Sequence, residues 1–480
     1  MKICLATIHA NARFTPLALL YLEAWLVERE GLPRDAVTIL EFTKESSRED
    51  IVGDILAAQP DVVGLSCYVW NVKALMAVAA AIKARRPAVK IVLGGPEVGP
   101  IARSVLAAHP AVDAIVRSEG EIPFGEIARR WSAGRDVEGV AGIAFRRGDE
   151  IVESEPAPIL RDLNELPSPH LTRRGDFTGR VICLETQRGC VFRCNFCFYN
   201  KDLSIRNRRF DLDRVKEEIL FWLQQDVREI YLMDPIFNLN AERAKDICRF
   251  VAAHNDRRIA FHSEIWAEFV DEEMARLFSE ANFQFLEVGL QTTDDTALAT
   301  VERRLRINAF TDGIGYLKQY KLKFELQLIL GLPGETMASF RKSLDFAGVL
   351  DPPCLAVFPL MVLPGTDLWN KARALELDFD PEPPYYIRGH FSMSAADIEY
   401  GWKMIDALTR FGDSKTVRLL CREPGVAFAD LVDDWIDWDR DQGDEASDGY
   451  KVKHFILEVC ARKAIPPDFY RGFASWEFRD

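Results

Sequence analysis

The chain has 480 residues, 48% hydrophobic and 28% charged, and its 60 Lys and Arg against 74 Asp and Glu leave a net charge of −14. That length exceeds one ordinary core and predicts two or three compact units, and the apolar content argues against extensive disorder. The acidic balance excludes a broad electrostatic footprint for nucleic acid or an anionic membrane, and apolar runs such as 62–65 and 91–93 fall far short of a bilayer span.

The opening Met1-Lys2-Ile3-Cys4-Leu5-Ala6 lacks the charged, apolar and cleavage regions of a signal peptide, so a cytoplasmic location is expected. From there to about residue 131, apolar strands expected at 2–7, 37–41, 62–68, 90–94 and 114–117 alternate with helices at 17–30, 49–58, 72–85 and 102–108. This is the pattern of a doubly wound parallel sheet. Such sheets bind ligands at the carboxyl ends of their strands, here loops 8–15, 66–71, 94–97 and 118–121. A first domain over 1–135 is followed by a linker over 136–175, in which 139–145 reads as a small hairpin strand before Pro156, Pro158, Pro167 and Pro169.

A second β/α series follows over 176–372, with strands expected at 181–185, 229–233, 258–263, 285–291, 323–330 and 355–361; six such strands fit an open parallel barrel. Residues 373–480 form a helical region, with patterns near 398–411, 414–420, 428–440 and 450–460. Trp402, Trp435, Trp438 and Tyr450 fall there, at spacings read first as core and second as a cover for the barrel mouth.

Ten cysteines are too sparse for a disulfide scaffold, but Cys190, Cys194 and Cys197 stand within eight residues, just after a strand. A structural zinc site or a simple [4Fe–4S] protein would want four ligands. Cys183 lies in the strand itself, and no histidine occurs between His170 and His254. Three thiolates leave one iron open for an exogenous ligand.

Cys190-x-x-x-Cys194-x-x-Cys197, with Phe196 before the last cysteine and Tyr199 beyond it, resembles the signature of the radical S-adenosylmethionine (SAM) superfamily. The resemblance implies a [4Fe–4S] cluster on these cysteines, with SAM chelated to the open iron and cleaved by one electron to methionine and a 5′-deoxyadenosyl radical. It places Tyr199, Asp234, Pro235, Glu264, Gln291, Arg303 and Gly331 around SAM. Tyr231 to Asn238 ends the second barrel strand, and Glu287 to Thr292 with Arg303 resembles the family's fourth strand and helix. Independently, the carboxylate of SAM wants a cation such as Arg303, and its ammonium and hydroxyl groups want acceptors such as Asp234. His262 is read as a packed or satisfied histidine.

A Rossmann-like unit ahead of such a barrel resembles the cobalamin-binding branch, and Gly331-Leu-Pro-Gly334-Glu335-Thr336 and Leu363-Pro-Gly365-Thr366 resemble its turns. The resemblance covers residues 1–370 and implies cobalamin at Thr15, Pro16, Ser66, Gly94, Gly95, Glu119 and Gly120. Asp-x-His-x-x-Gly, whose histidine ligates cobalt in another cobalamin group, is absent. The lower face of cobalt is therefore unligated or met from loop 9–15, which holds His9, or loop 66–71. With only Cys4 and Cys67 in the first domain, both in strand patterns, a second cluster of the methylthio-transferring kind is disfavoured.

The resemblance implies an enzyme that abstracts hydrogen from a substrate carbon and transfers a methyl group from methylcobalamin. The alternatives are a cyclase, oxidase or rearrangement enzyme with the same cofactors, and an iron–sulfur or cobalamin sensor. The expected partners are a small-molecule or peptide substrate and a reductant such as flavodoxin or ferredoxin, with no nucleic acid and no membrane span.

Overall fold

The computed structural model describes residues 1–480 apart from 173–175, 201–206, 257, 443–446, 467–469, 471, 473–476 and 478–480. The end of the expected linker and parts of the C-terminal tail therefore lie outside the described residues. In the first part the elements are β1 (Ile3–His9), α1 (Leu17–Glu28), β2 (Val37–Thr43), α2 (Arg48–Ala57), β3 (Val62–Ser66), α3 (Val72–Arg85), β4 (Lys90–Gly94), α4 (Ala102–Ala108), β5 (Ala114–Val116) and α5 (Glu121–Ser132). The strands pair in parallel in the order β2-β1-β3-β4-β5. Successive residues of β1 enter opposite cores, Cys4 and Ala6 on one face, Ile3 and Leu5 on the other. Burial on both faces is why the strand reads as a continuous apolar run.

The expected hairpin forms as β6 (Ile143–Arg147) and β7 (Glu150–Glu153), and β6 pairs antiparallel with β5, so the hairpin continues the first sheet. Isolated two-stranded pieces are marginal in water, and an existing sheet edge supplies the missing partner.

The second sheet holds β8 (Val181–Leu184), then, after a short antiparallel pair β9 (Gln187–Arg188) and β10 (Arg208–Arg209), β11 (Glu229–Leu232), β12 (Ala260–Ile265), β13 (Phe283–Gln291), β14 (Phe324–Leu330) and β15 (Cys354–Pro359). Its order β15-β14-β13-β12-β11-β8 is parallel throughout, the open six-stranded barrel expected. Along β14, Phe324, Leu326, Leu328 and Leu330 are buried, while Glu325, Gln327 and Ile329 on the opposite face are half-buried. The first domain closes the free edge at β8: Thr15 N donates to the Val181 carbonyl at 3.1 Å, and Val181 N to that of Arg13 at 2.9 Å.

The C-terminal region is helical, as expected, with one addition, the short antiparallel pair β16 (Asp378–Phe379) and β17 (Ile387–Gly389). Helix Ala395–Phe411 lies on β14 so closely that a Cβ on Gly401 would come within 2.4 Å of Leu330. Trp435 and Trp438 pack with Phe411 and Phe455 in the core, whereas Trp402 and Tyr450 are exposed at 37% and 56%. No helix among the described residues is long and apolar enough to cross a membrane.

Candidate cofactor sites

All ten cysteines are free. The cysteine loop leaves β9 and folds back on itself, with Cys197 N donating to the Cys194 carbonyl at 3.0 Å. Cys194 is buried and the other two are half-buried. Cys197 lies within electrostatic reach of both Cys190 and Cys194. Among the described residues no three His, Cys, Asp or Glu side chains converge tightly enough to hold a single ion. A polynuclear cluster binds each cysteine to a different iron and tolerates this wider spacing. A cavity of about 200 Å³ lined by Cys194, Asn195, Cys197 and residues 365–367 adjoins the loop.

Arg303 reaches this loop from the helical connection after β13. Its Nη1 lies 3.8 Å from Cys194 Sγ and its Nη2 donates to the Gly289 carbonyl at 2.6 Å. Its Nε is buried without a partner. A guanidinium with an unsatisfied buried N–H beside Cys194 fits a carboxylate ligand such as that of SAM. The guanidinium also lies over the Trp266 ring at 4.6 Å, and Phe192 of the cysteine loop stacks on Trp266 at 3.8 Å. Asn238 fixes Trp266 by accepting from its N–H at 3.0 Å and donating to its carbonyl at 2.9 Å. Sequence reasoning missed Trp266 and Phe192; the available signal was Trp266's position directly after a barrel strand. Gln291, at the end of β13, has φ +73, a strained conformation for glutamine of the kind concentrated at ligand sites.

The other expected SAM residues fall in differing places. Asp234 is buried, and its oxygens accept from Thr186 N at 2.7 Å, Thr186 Oγ1 at 2.5 Å and Gln187 N at 3.2 Å. Its carboxyl, pushed up to about 7 by burial, thus anchors the start of the cysteine loop, and Pro235 follows half-buried. Tyr199 is 49% exposed and within electrostatic reach of Glu264. Glu264 is pushed up to about 8 by burial and by Glu287 beside it, so at neutral pH it holds a proton it can donate. Gly331 has φ +87 and packs under Ile387 and Ile398, where a Cβ would be 2.7 Å from Ile387. His262, its pKa lowered by burial, sits 3.6 Å from Glu229.

Glu335, in the turn after β14, is fully buried; Thr292 Oγ1 donates to its Oε1 at 2.5 Å, and its Oε2 has no partner. Burial raises this carboxyl from 4.5 to about 8. The folded protein therefore keeps a proton that the unfolded chain releases, a stabilisation complete below 4.5 and lost as pH rises to about 8. Glu335→Gln, which removes the titration, is expected to unfold at increasingly higher temperature than the parent as pH rises through that window, the difference levelling off beyond it. Equal Tm differences at all pH values would refute this.

At the strand ends of the first sheet, Gly95 has φ +110 and a Cβ on it would lie 2.3 Å from the Cys67 carbonyl oxygen. Gly94 is open, its virtual Cβ meeting only Val116 at 3.9 Å. Ser66 ends β3, and its carbonyl accepts from Asn71 Nδ2 at 3.1 Å. Asn71 also donates to the Ile8 carbonyl at 3.0 Å, so this buried side chain, unmarked in the sequence, sutures two strand-end loops. An open glycine between sutured loops fits a ligand that must approach the backbone. Thr15 accepts from Cys183 N at 3.0 Å through Oγ1, and Pro16 precedes α1. Glu119 gives its carboxylate to Arg208, and Gly120 precedes α5. His9 Nε2 is 2.8 Å from Glu41 Oε2, which also meets Arg180 at 2.6 Å.

Residues 184–347 match the model of the radical SAM superfamily and residues 3–128 that of the B12 binding domain. The chain therefore carries a radical SAM domain, which implies a [4Fe–4S] cluster and SAM, and a B12 binding domain, which implies cobalamin. It is similar to the cobalamin-dependent radical SAM methyltransferase TokK of Streptomyces tokunonensis, 31% identical over 65% of this chain and 48% of TokK. It is also similar to an anaerobic magnesium-protoporphyrin IX monomethyl ester cyclase of Synechocystis, 26% identical over 50% of each chain. The chain thus spans about half the length of both relatives. In fold it resembles the radical SAM methyltransferase TsrM of Kitasatospora setae, solved with cobalamin and a [4Fe–4S] cluster, with a TM-score of 0.68, 16% identity and coverage of 99% of this chain and 100% of TsrM.

Proposed function

We propose that the chain is a cobalamin-dependent radical SAM C-methyltransferase. When bound, its three cofactors supply one-electron cleavage of SAM, hydrogen abstraction from a substrate carbon by the 5′-deoxyadenosyl radical, and a methyl group for the resulting carbon radical. The carrying observation is Arg303, whose buried Nε has no partner and whose Nη1 lies 3.8 Å from Cys194 Sγ. In this reading Cys190, Cys194 and Cys197 hold the cluster and Arg303 the SAM carboxylate. Gln291, protonated Glu264 and Tyr199 serve its polar groups, and Asp234 and Pro235 set the backbone that meets its ammonium. Gly331, packed under Ile387 and Ile398, shapes the turn that borders the adenosyl group. The loops with Thr15, Pro16, Ser66, Gly94, Gly95, Glu119 and Gly120 form the cobalamin bed. Substrate, small molecule or peptide, enters the barrel mouth; the reductant is an electron carrier such as flavodoxin or ferredoxin; and the free cysteines suit the cytoplasm.

Anaerobic incubation with SAM, a reductant and bound cobalamin is expected to yield 5′-deoxyadenosine and S-adenosylhomocysteine. Absence of 5′-deoxyadenosine would sink the enzyme reading and favour a sensor. The cyclase relative favours a second reading, ring formation without methylation, which predicts 5′-deoxyadenosine with no S-adenosylhomocysteine.

A further inference from the structure

The joint between the two sheets carries a largely buried ion network. Arg188, two residues before Cys190, is fixed on three sides: Nε lies 2.8 Å from Glu185, Nη1 lies 2.8 Å from Glu121, and the guanidinium covers the Tyr21 ring at 4.6 Å. The side chains of Arg188 and Glu121 are only 12% and 8% exposed. Its register partner across β9 and β10 is Arg208, itself 9% exposed. Arg208 grips both carboxylate oxygens of Glu119, one at 3.0 Å, and donates to the Leu160 carbonyl at 2.7 Å. Loop 118–121, at the end of a first-sheet strand, thus delivers two carboxylates to neighbouring arginines on the hairpin that leads into the cysteine loop. Asn207 closes the path, donating to the Gly189 carbonyl at 3.4 Å.

We propose that Arg188 and Arg208 are positioning residues which lock loop 118–121 to the cysteine loop, so that ligand binding at either cofactor site tightens binding at the other. The inference rests on the reading that cobalamin lies at the strand ends of the first sheet. Mere adhesion of the domains does not need this network, because Arg180–Glu41, Lys73–Glu382 and Tyr385–Glu97 already join the same halves. What distinguishes it is position: each end belongs to a loop at a cofactor site. Buried, planar guanidinium pairs hold a geometry that a screened surface pair does not, and coupling between two sites is reciprocal.

The test titrates hydroxocobalamin into the full chain, with the cluster reconstituted and iron-free, following the visible spectrum. In the parent, affinity is expected to be about fivefold or more tighter with the cluster present, the lower range for coupled sites. That ratio should fall towards one in Glu121→Gln and in Arg188→Lys, which keeps the charge but loses the fork, with both cofactors still bound. Arg180→Met, which cuts a different joint, should keep it. Should Arg188→Lys not fold, Arg208→Lys, which keeps the charge but loses the fork on Glu119, carries the same test. Equal affinities in the parent, an unchanged ratio in the variants, or an equal loss in Arg180→Met would overturn the proposal. A parent that binds no hydroxocobalamin in either state would instead overturn the cobalamin reading beneath it.

Discussion

Alanine in place of any one of Cys190, Cys194 and Cys197 is expected to abolish the broad iron–sulfur absorbance after anaerobic reconstitution and to remove most bound iron. Three thiolates leave no spare ligand, so loss of one opens a second iron rather than weakening the set by a third. The first sheet has its own two cores, on either face of β1, and should keep its far-ultraviolet circular dichroism. By contrast, substitution of Cys354 or Cys421, half-buried and remote in sequence from the loop, should cost no iron. A full complement of iron in any of the three single variants would sink the ligand assignment.

Two adjacent glycines are expected to fail differently. Gly95→Ala forces a Cβ to within 2.3 Å of the Cys67 carbonyl oxygen on a backbone at φ +110. It should lower stability by about 1–3 kcal/mol whether or not ligand is present, seen as a fall in Tm. Gly94→Val places its Cβ in ordinary contact with Val116 at 3.9 Å, so the protein should fold with near-parental stability. Its affinity for hydroxocobalamin should drop roughly tenfold or more, about 1.4 kcal/mol, because the side chain fills the space the ligand would occupy. Unchanged affinity in well-folded Gly94→Val would remove the end of β4 from the cobalamin bed.

What the sequence determined by itself is what depends on neighbours along the chain. The apolar runs of β1, β3 and β4, the helix Val72–Arg85 and the spacing of Cys190, Cys194 and Cys197 are local patterns, legible because periodicity and spacing reveal burial and shared ligation. The hairpin of β6 and β7 was visible, but not that β5 would receive it. Only the tertiary structure decided which polar groups remain available. Thr15 and Asp234 are motif residues by sequence, yet their side chains bond Cys183 and Thr186 across 168 and 48 positions. Glu119 likewise turns to Arg208, 89 positions away. Trp266 and Arg188 carried no motif of their own, and gained a role only when barrel closure and sheet docking set them beside the cysteine loop. A side chain's chemistry is written in its residue type, but its partner is chosen by how the two sheets pack.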